Sequence, residues 1–369
     1  MIKNDYITIG KARTEIAAYE PASEVKEYHL MIHACPSDNF SEQLESVNSA
    51  FDAVCSQTLQ DAHPVFMRYF ISDAANQEEA IKSSVKCGCP VSVIEQPPLD
   101  GTKVALWVYL TTPLSEHYEH LWTASSQGIS HSAEAASEPQ TSAILQQYQS
   151  DLALHGCTVE DNCIRTWFFV QNVDVNYAGV VKGRREFFDT IGLTSQTHYI
   201  ASTGIAGRTA AAASKVMMDA YSVKGLAPEQ ITYIKGSTHL NPTHEYGVTF
   251  ERGTAVDYGD RRHVFISGTA SIDNKGQVVH PGDVRRQTER MLENVSVLLD
   301  EAGCGYEDVA HMIVYLRDIA DYAAVKAMYE ERFPTHPKVF LWAPVCRPGW
   351  LVEMECMAVR PVSNGFMKL

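Results

Sequence analysis

Two neighbouring segments decide the fold: residues 261–273 read RRHVFISGTASID, and residues 284–303 read VRRQTERMLENVSVLLDEAG. The first has the β-branched and aromatic content of a strand that runs into a turn. The second predicts an amphipathic helix, because apolar residues share one face at helical spacing and Gly303 supplies the C-terminal stop. The apolar residues of that face are Met291, Val295, Leu298 and Leu299. A strand followed by such a helix indicates a sheet with helices on one face.

The rest of the C-terminal region completes a repeating unit. Residues 309–319 predict a strand, residues 322–333 a second helix that ends at Pro334, and residues 338–346 and 350–359 two closing strands. The same order of elements can be followed twice more along the chain. The matching segments are residues 27–35, 41–55, 64–73, 77–86, 90–98 and 103–110 near the N-terminus, and residues 120–128, 144–161, 164–173, 177–193, 197–205 and 215–223 in the middle.

This repetition predicts an α+β protein of three tandem units, at residues 1–112, 113–235 and 236–369. Helices cover one face of each sheet, so the other face must be buried elsewhere. Packing three such faces around a pseudo-threefold axis buries all of them within one chain. We therefore predict a single-chain pseudo-trimer, with a surface loop at residues 128–142 and a linker at residues 225–241.

Composition and charge narrow the functional class. With 45% hydrophobic residues, the 369-residue chain is expected to be a compact globular protein. Its net charge of −15 argues against a nucleic-acid partner, since phosphate binding needs a basic surface. No segment approaches the roughly 20 apolar residues of a membrane span, and the N-terminus lacks the apolar core of a signal peptide. Nine scattered cysteines, of which only Cys87 and Cys89 lie close, indicate reduced thiols, a cytoplasmic location and no metal site.

The apolar segment at residues 340–359 carries three charged residues, Arg347, Glu353 and Glu355. Burying an unpaired charge costs several kcal/mol, so these side chains are predicted to serve a pocket. Glu353 and Glu355 are two residues apart and face the same way on a strand, which tends to raise one pKa and suits a general acid. The counterparts of residues 352–355 are VALW at 104–107 and VMMD at 216–219, and neither unit has a counterpart of Arg347. A single intact site is therefore expected.

The C-terminal unit resembles the Rid/YjgF family, historically called endoribonuclease L-PSP, over residues 262–359. The segments that carry this likeness are FISGTASID (265–273), QTERMLENV (287–295), YLRDIADY (315–322) and APVCRPGWLVEMECMAV (343–359). Family members fold as chorismate-mutase-like α+β units and typically form homotrimers with sites between subunits. The resemblance thus implies a covalent pseudo-trimer with two degenerate units. It also implies that Arg347 binds a substrate carboxylate and that Ser267 and Gly268 form the turn beside the substrate.

A narrower resemblance, to the chorismatases, extends the match to residues 166–359. It rests on TWFFVQNVDVNYAGVVKGRREFFDTIGL (166–193), YIASTGI (199–205) and HEYGVTFERG (244–253). It implies cofactor-free hydrolysis of chorismate, with release of pyruvate, at the interface of the second and third units. Glu353 would be the general acid, and Cys346 with Gly253 would direct the ring product toward a 3-hydroxybenzoate type. Because chorismate has two carboxylates, further contacts are expected from Tyr199, Thr203, Gly204, Tyr246 and Arg252.

Two other functions stay open. A Rid-type enamine or imine deaminase would use Arg347 to hold an imino acid, although residues 348–350 (PGW) depart from the usual pattern of that family. A non-catalytic protein that binds a small ligand is the second alternative, and ribonuclease activity is least favoured because of the acidic charge. In each case the partner is a small anionic molecule and not a membrane. The basic run GRREFF (183–188) is predicted to be a solvated helix face.

Overall fold

Three β-sheets of six, four and six strands form the fold, in the order in which they occur along the chain. This architecture comes from a computed structural model that describes residues 2–21, 24–127 and 136–369. The prediction of three tandem α+β units is confirmed. Among the helices in these ranges, none combines the length and apolar character that crossing a membrane requires.

The first sheet has the strand order β1-β2-β3-β6-β4-β5. Its first two strands form a hairpin that sequence analysis missed, since their alternation is largely polar on the exposed side. Helix α1 begins where the Asn39 side chain accepts a hydrogen bond from the backbone N–H of Ser41. The elements are β1 Lys3–Ile9, β2 Ala12–Tyr19, β3 Glu27–His33, α1 Phe40–Gln57, β4 His63–Ile71, α2 Ala74–Ser84, β5 Val91–Glu95 and β6 Val104–Thr111.

The middle sheet has four strands in the order β7-β10-β8-β9. Its two long helices pack closely, and a Cβ atom added at Gly183 would lie 2.6 Å from the Glu138 carbonyl oxygen. The predicted surface loop at residues 128–142 is wrong from residue 137 onward, where a helix begins, while residues 128–135 lie outside the described ranges. The elements are β7 Glu119–Gln127, α3 Ser137–Leu154, α4 Val159–Asn162, β8 Cys163–Val170, α5 Val173–Thr190, β9 Ala201–Ala206 and β10 Val216–Lys224.

The third sheet has the order β11-β12-β13-β16-β14-β15. The predicted linker at residues 225–241 is wrong in part, because it contains strand β11. Helix α6 begins at Asp283, whose side chain accepts a hydrogen bond from the Arg286 N–H. The elements are β11 Ile231–Ile234, β12 Gly253–Asp257, β13 Arg261–Ala270, α6 Val284–Glu301, β14 Val309–Leu316, α7 Tyr322–Arg332, β15 Lys338–Trp342 and β16 Val352–Pro361.

The strand registers show that the three units are equivalent. Val104 pairs with Ile71, Val216 with Val170 and Val352 with Leu316, each at the same place in its sheet. Side chains alternate along a strand, so the residues one and three positions further on share the inner face. These pairs are Ala105 and Trp107, Met217 and Asp219, and Glu353 and Glu355.

The inner faces of the three sheets meet in one apolar core that includes several large aromatic side chains. These include Phe66, Trp107, Trp167, Phe169 and Phe265. Apolar clusters under the helices of the first two units are separate from this core. In each unit, the sheet face that the helices leave uncovered is thus buried by the other two units, as expected for a pseudo-trimer.

A buried ion pair joins the first and middle units. Arg68 and Asp219 are both 0% exposed, and the Arg68 Nε and Nη2 atoms donate to Asp219 Oδ2 at 3.0 and 2.9 Å. The Ser125 backbone N–H donates to Asp219 Oδ1 at 2.7 Å. The Arg68 guanidinium also lies over the Trp167 ring at 4.7 Å. This carboxylate is therefore fully engaged in holding two units together.

We expect Asp219→Ala to lower the free energy of unfolding by about 3–5 kcal/mol, because it leaves the Arg68 guanidinium buried without its partner. The double variant Arg68→Met/Asp219→Ala should recover much of that loss, since it removes both charges. Urea unfolding followed by circular dichroism measures both. Equal losses in the single and double variants would show that the charge pair is not what the single variant disturbs.

Candidate active site

A cavity lies between the middle and third units, at the place where the inner face of β16 carries its first glutamate. Its walls come from α5 and β9 of the middle unit, and from β13, β16 and the segments 246–252 and 346–350 of the third. The cavity brings together seven of the predicted site residues. These are Glu353, Arg347, Cys346, Gly204, Tyr246, Arg252 and Gly268.

The other four predicted residues do not line this cavity. Thr203 and Ser267 are buried directly behind its wall and hydrogen-bond the groups that shape it. Tyr199 is part of a neighbouring depression that shares Phe250 and Arg252 with the cavity. Gly253 lies in β12, where an added Cβ would meet the Phe265 carbonyl oxygen at 3.0 Å. The absence of a side chain there allows the two strands to pack closely.

Glu353 is a carboxyl group without a hydrogen-bond partner for Oε1 among the described residues, and it is 4% exposed. Its Oε1 atom sits against Gly268, where an added Cβ would be only 2.3 Å away. Gly268 lies in a β-bulge, because the β13–β16 register shifts between Ile266 and Thr269. Burial, reinforced by the neighbouring charge of Glu355, raises the pKa of Glu353 to about 8. The group is therefore mostly protonated at neutral pH.

Glu355 has the opposite environment two residues along the same strand. Its Oε2 atom accepts from Arg165 Nη2 at 2.9 Å and from the Thr203 hydroxyl, and Oε1 accepts from Trp167 Nε1 at 2.7 Å. All three donors belong to the middle unit, so this carboxylate is held by the neighbour. One carboxyl is saturated with donors and the other has none on its free oxygen, which divides the pair into an ion and an acid.

Behind the wall, two hydroxyl groups connect this ion to the bulge. Thr203 Oγ1 accepts from the Gly268 N–H at 2.9 Å and from Arg165. The Ser267 hydroxyl accepts from the Ser202 N–H at 2.9 Å and donates to the Glu251 carbonyl at 2.6 Å. These contacts fix the middle unit against the bulge that carries Gly268, and so set the position of Glu353.

Three arginines face the cavity, and none of them pairs with a carboxylate in the described part of the chain. Arg184 was missed: it is 2% exposed, and the predicted solvated face for residues 183–188 is wrong, since only Arg185 and Glu186 of that run are exposed. Its Nε and Nη1 atoms donate to Thr249 and Ser202, and Nη2 has no partner in those ranges. Arg252 likewise has an unpartnered Nε. Buried guanidinium groups with free donors favour an anionic ligand.

The segment 241–250 covers the outer side of the cavity. Arg347 Nη2 donates to the Tyr246 carbonyl at 3.1 Å, and Arg252 Nη2 donates to the Asn241 carbonyl at 3.0 Å. Both guanidiniums also lie over the Tyr246 ring, at 5.0 and 5.3 Å. With this cover in place the cavity volume is about 30 Å³, which is room for no more than two or three water molecules.

Tyr177 and Cys346 form the wall opposite this cover. The Tyr177 ring packs against Gly204 so closely that an added Cβ would lie 2.8 Å from Cε2. Gly204, which was predicted as a ligand contact, lines the cavity, and its lack of a side chain lets the Tyr177 ring approach this closely. Burial raises the pKa of the Cys346 thiol to about 12, so it is not a nucleophilic thiolate at neutral pH.

The equivalent positions of the other units hold no acid for this chemistry. Ala105 and Met217 stand where Glu353 stands in the third unit. In the described ranges no cluster of three or more His, Cys, Asp or Glu side chains has a geometry that could hold a metal ion.

The family model and the curated relatives that match this chain point to the same family. The model of the endoribonuclease L-PSP family matches residues 253–360. A RutC family protein of Pyrococcus abyssi is 33% identical over 99 residues, which cover 26% of this chain and 78% of that protein. The 3-aminoacrylate deaminase RutC of Acinetobacter baylyi is 34% identical over 97 residues, covering 26% of this chain and 77% of the relative.

A longer likeness is found among solved structures. The crystal structure of a chorismatase superposes with a TM-score of 0.63 at 20% identity, covering 80% of this chain and 93% of that chain. At this identity the likeness establishes a shared fold. Taken with the matches to its third unit, it shows that the chain belongs to the Rid/YjgF (endoribonuclease L-PSP) family and has the overall fold of a chorismatase.

Proposed function

We propose that the protein hydrolyses a small cyclic dicarboxylate, with chorismate as the first candidate, at the cavity between the second and third units. The observation that carries this proposal is a neutral buried acid, Glu353, beside three guanidiniums without carboxylate partners in the described ranges. A site of this kind binds an anion and delivers a proton to it. The solved structure of a chorismatase that shares the fold supports the choice of substrate.

Substrate binding would use the arginines in two groups. Arg184 projects from the middle unit, while Arg252 and Arg347 project from the third, so the charges surround the cavity from two sides. Two carboxylates need at least two such groups, and a planar guanidinium can bind each of them in a bidentate manner. The aromatic rings of Tyr177, Tyr246 and Trp350 provide walls for a planar or half-planar ring.

Glu353 would act as the general acid. Its proton passes to the terminal carbon of the enol ether, which creates an oxocarbenium ion stabilised by the ether oxygen. Water adds to the carbon that bears the ether oxygen and loses a proton to the Glu353 carboxylate, and the resulting hemiketal breaks down to pyruvate and the ring alcohol. The unpartnered Oε1 atom is the oxygen available for this transfer. Each turnover thus consumes one water and needs no cofactor.

Entry of a substrate requires the segment 241–250 to move outward, since binding pockets for small molecules enclose roughly 300 Å³ or more. The contacts that hold this segment are made by Arg252 and Arg347 themselves. Gly247, with φ of 88° and no atoms near its Cβ position, is the residue where the backbone can turn most easily. Ligand carboxylates would then compete with the segment for the same guanidiniums.

A deaminase acting on an enamine or imine is the second candidate, and the likeness to 3-aminoacrylate deaminase RutC favours it. Such a reaction would use Arg347 to bind one carboxylate and Glu353 as a proton donor. It leaves Arg184 and Arg252 without a role, because a monocarboxylate needs only one guanidinium. A dicarboxylate engages at least two of the three guanidiniums, and for this reason we favour it.

We expect wild-type protein to release pyruvate from chorismate, and Glu353→Gln to lower kcat by about 10²–10⁴-fold, the usual contribution of a general acid. Pyruvate is followed with a coupled lactate dehydrogenase assay, and the ring product is identified by chromatography. The amide keeps the shape of the side chain, so circular dichroism should be unchanged. Equal turnover by the variant would exclude Glu353 as the acid. Activity only on imines generated in situ would replace the first candidate by the second.

Arg184→Met should lower kcat/KM for chorismate by about 10–100-fold, since a hydrogen bond from a charged donor contributes roughly 1.5–3 kcal/mol. The matched control is Arg185→Met, because Arg185 is the adjacent residue on the same helix and is exposed. It should leave kcat/KM unchanged. Equal effects of the two substitutions would mean that Arg184 acts through helix stability and not through the substrate.

A further inference from the structure

The loop between α2 and β5 contains a pair of cysteines that the cavity does not use. Cys87 and Cys89 are both half-buried, and their sulfur atoms are 3.0 Å apart. No other two cysteine sulfurs are in hydrogen-bond contact within the described ranges. The pair is thus the one place in those ranges where two thiols face each other.

The residue between them leaves the pair uncrowded. Gly88 has no side chain, and nothing lies within 4 Å of its Cβ position, so the two sulfurs have free space beside them. A disulfide bond is about 2.05 Å long, so the sulfurs need to approach by about 1 Å. Cys87 also has the Met67 sulfur at 3.4 Å, which places its thiol against the base of β4.

An open groove gives small molecules access to these sulfurs. It has a volume of about 860 Å³ and lies between the first and middle units. Both cysteines line it, together with His63, Tyr118 and Trp122. A disulfide of the size of oxidised glutathione can therefore reach the pair without unfolding of the loop.

The two thiols differ in acidity. The hydrogen bond from the Cys89 thiol lowers the pKa of Cys87, because it stabilises the Cys87 thiolate, and the same contact raises the pKa of Cys89. The thiolate is the nucleophile in thiol–disulfide exchange. Cys87 is accordingly the attacking sulfur, and Cys89 holds the proton until it attacks in turn.

We propose that Cys87 and Cys89 are a redox-active dithiol that exchanges with small-molecule disulfides of the glutathione class. Cys87 attacks one sulfur of the disulfide, its S–S bond breaks, and one thiol leaves after protonation. Cys89 then attacks the mixed disulfide at Cys87, which forms the Cys87–Cys89 bond and releases the second thiol. The protein dithiol is oxidised by two electrons and the small disulfide is reduced to two thiols.

The test is equilibration of the full chain with glutathione redox buffers, acid quenching, alkylation and tryptic mass mapping. Both cysteines fall in one tryptic peptide, residues 87–103, which contains no other cysteine. The expected result is that this peptide becomes lighter by two hydrogens and loses both alkylation sites as the buffer becomes more oxidising. A peptide that stays fully alkylated across the range, or oxidation confined to other cysteines, would overturn the proposal.

Single substitutions separate the roles of the two sulfurs. Cys89→Ser keeps a hydroxyl donor beside Cys87 and removes the resolving thiol, so it should accumulate one glutathione on Cys87. Cys87→Ser should react about tenfold or more slowly, because it removes the attacking sulfur and burial still raises the pKa of the Cys89 thiol. Cys55→Ser is the control, since Cys55 is a half-buried thiol outside the pair, and it should behave like wild type. Equal rates for Cys87→Ser and Cys89→Ser would contradict the assigned order of attack.

Discussion

The contact between Arg165 and Glu355 is the interaction on which the candidate site depends. Two glutamates point from one strand into an almost dry interface, and two ionised carboxylates could not both be accommodated there. Arg165, Trp167 and Thr203 of the middle unit supply three donors to Glu355, and that carboxylate remains an ion. Glu353 receives none on its free oxygen, so its lowest-energy form is the neutral acid. A buried neutral acid thus arises from the way two units meet, and it is the group that the proposed hydrolysis requires.

The three interfaces between units have the same strand arrangement but carry different residues at equivalent positions. Asp219, in the place of Glu355, pairs with Arg68 and serves only stability. Trp107 takes that place in the first unit and packs against His311 of the third, with ring centroids 4.4 Å apart. Repetition of the unit provides three equivalent clefts, and covalent linkage allows each to diverge, because no symmetry forces the same residue into all of them. The cleft between the middle and third units contains the candidate site, while the other two hold the assembly together.

Much of the fold could be predicted from the sequence, because the helices and strands of each unit have recognisable hydrophobic periodicity. The long helix at residues 284–301 and the strands around it carry clear patterns. The hairpin β1–β2 and strand β11 were missed, since a short or half-exposed edge strand has little apolar alternation to detect. That the inner face of the first unit joins the common core was inferred from the need to bury three sheet faces, and not from any local sequence pattern.

The residues of the candidate site were likewise predicted only in part. Glu353 and Arg347 stood out because charges in an apolar segment are costly. Arg184 did not, because it belongs to the short basic run GRREFF, and only the tertiary arrangement turns this arginine inward while Arg185 stays exposed. The glycines near Arg184 are one sequence feature that could have indicated its direction. Gly179 and Gly183 lie on the side of α5 that packs against α3, and this contact fixes the orientation of the helix.

The most direct test of this account is the titration of Glu353 itself, by infrared difference spectra between wild type and Glu353→Gln across pH 4–10. Because the folded pKa is raised above the ordinary value of a glutamate, the protonated form persists through neutral pH and is lost as the pH rises through about 8. The account predicts a carboxylic acid C=O band at pH 6 that disappears with a midpoint near this value. A band that is already lost at pH 5 to 6 would mean that Glu353 is an ion in the free protein, and would contradict its assignment as the acid.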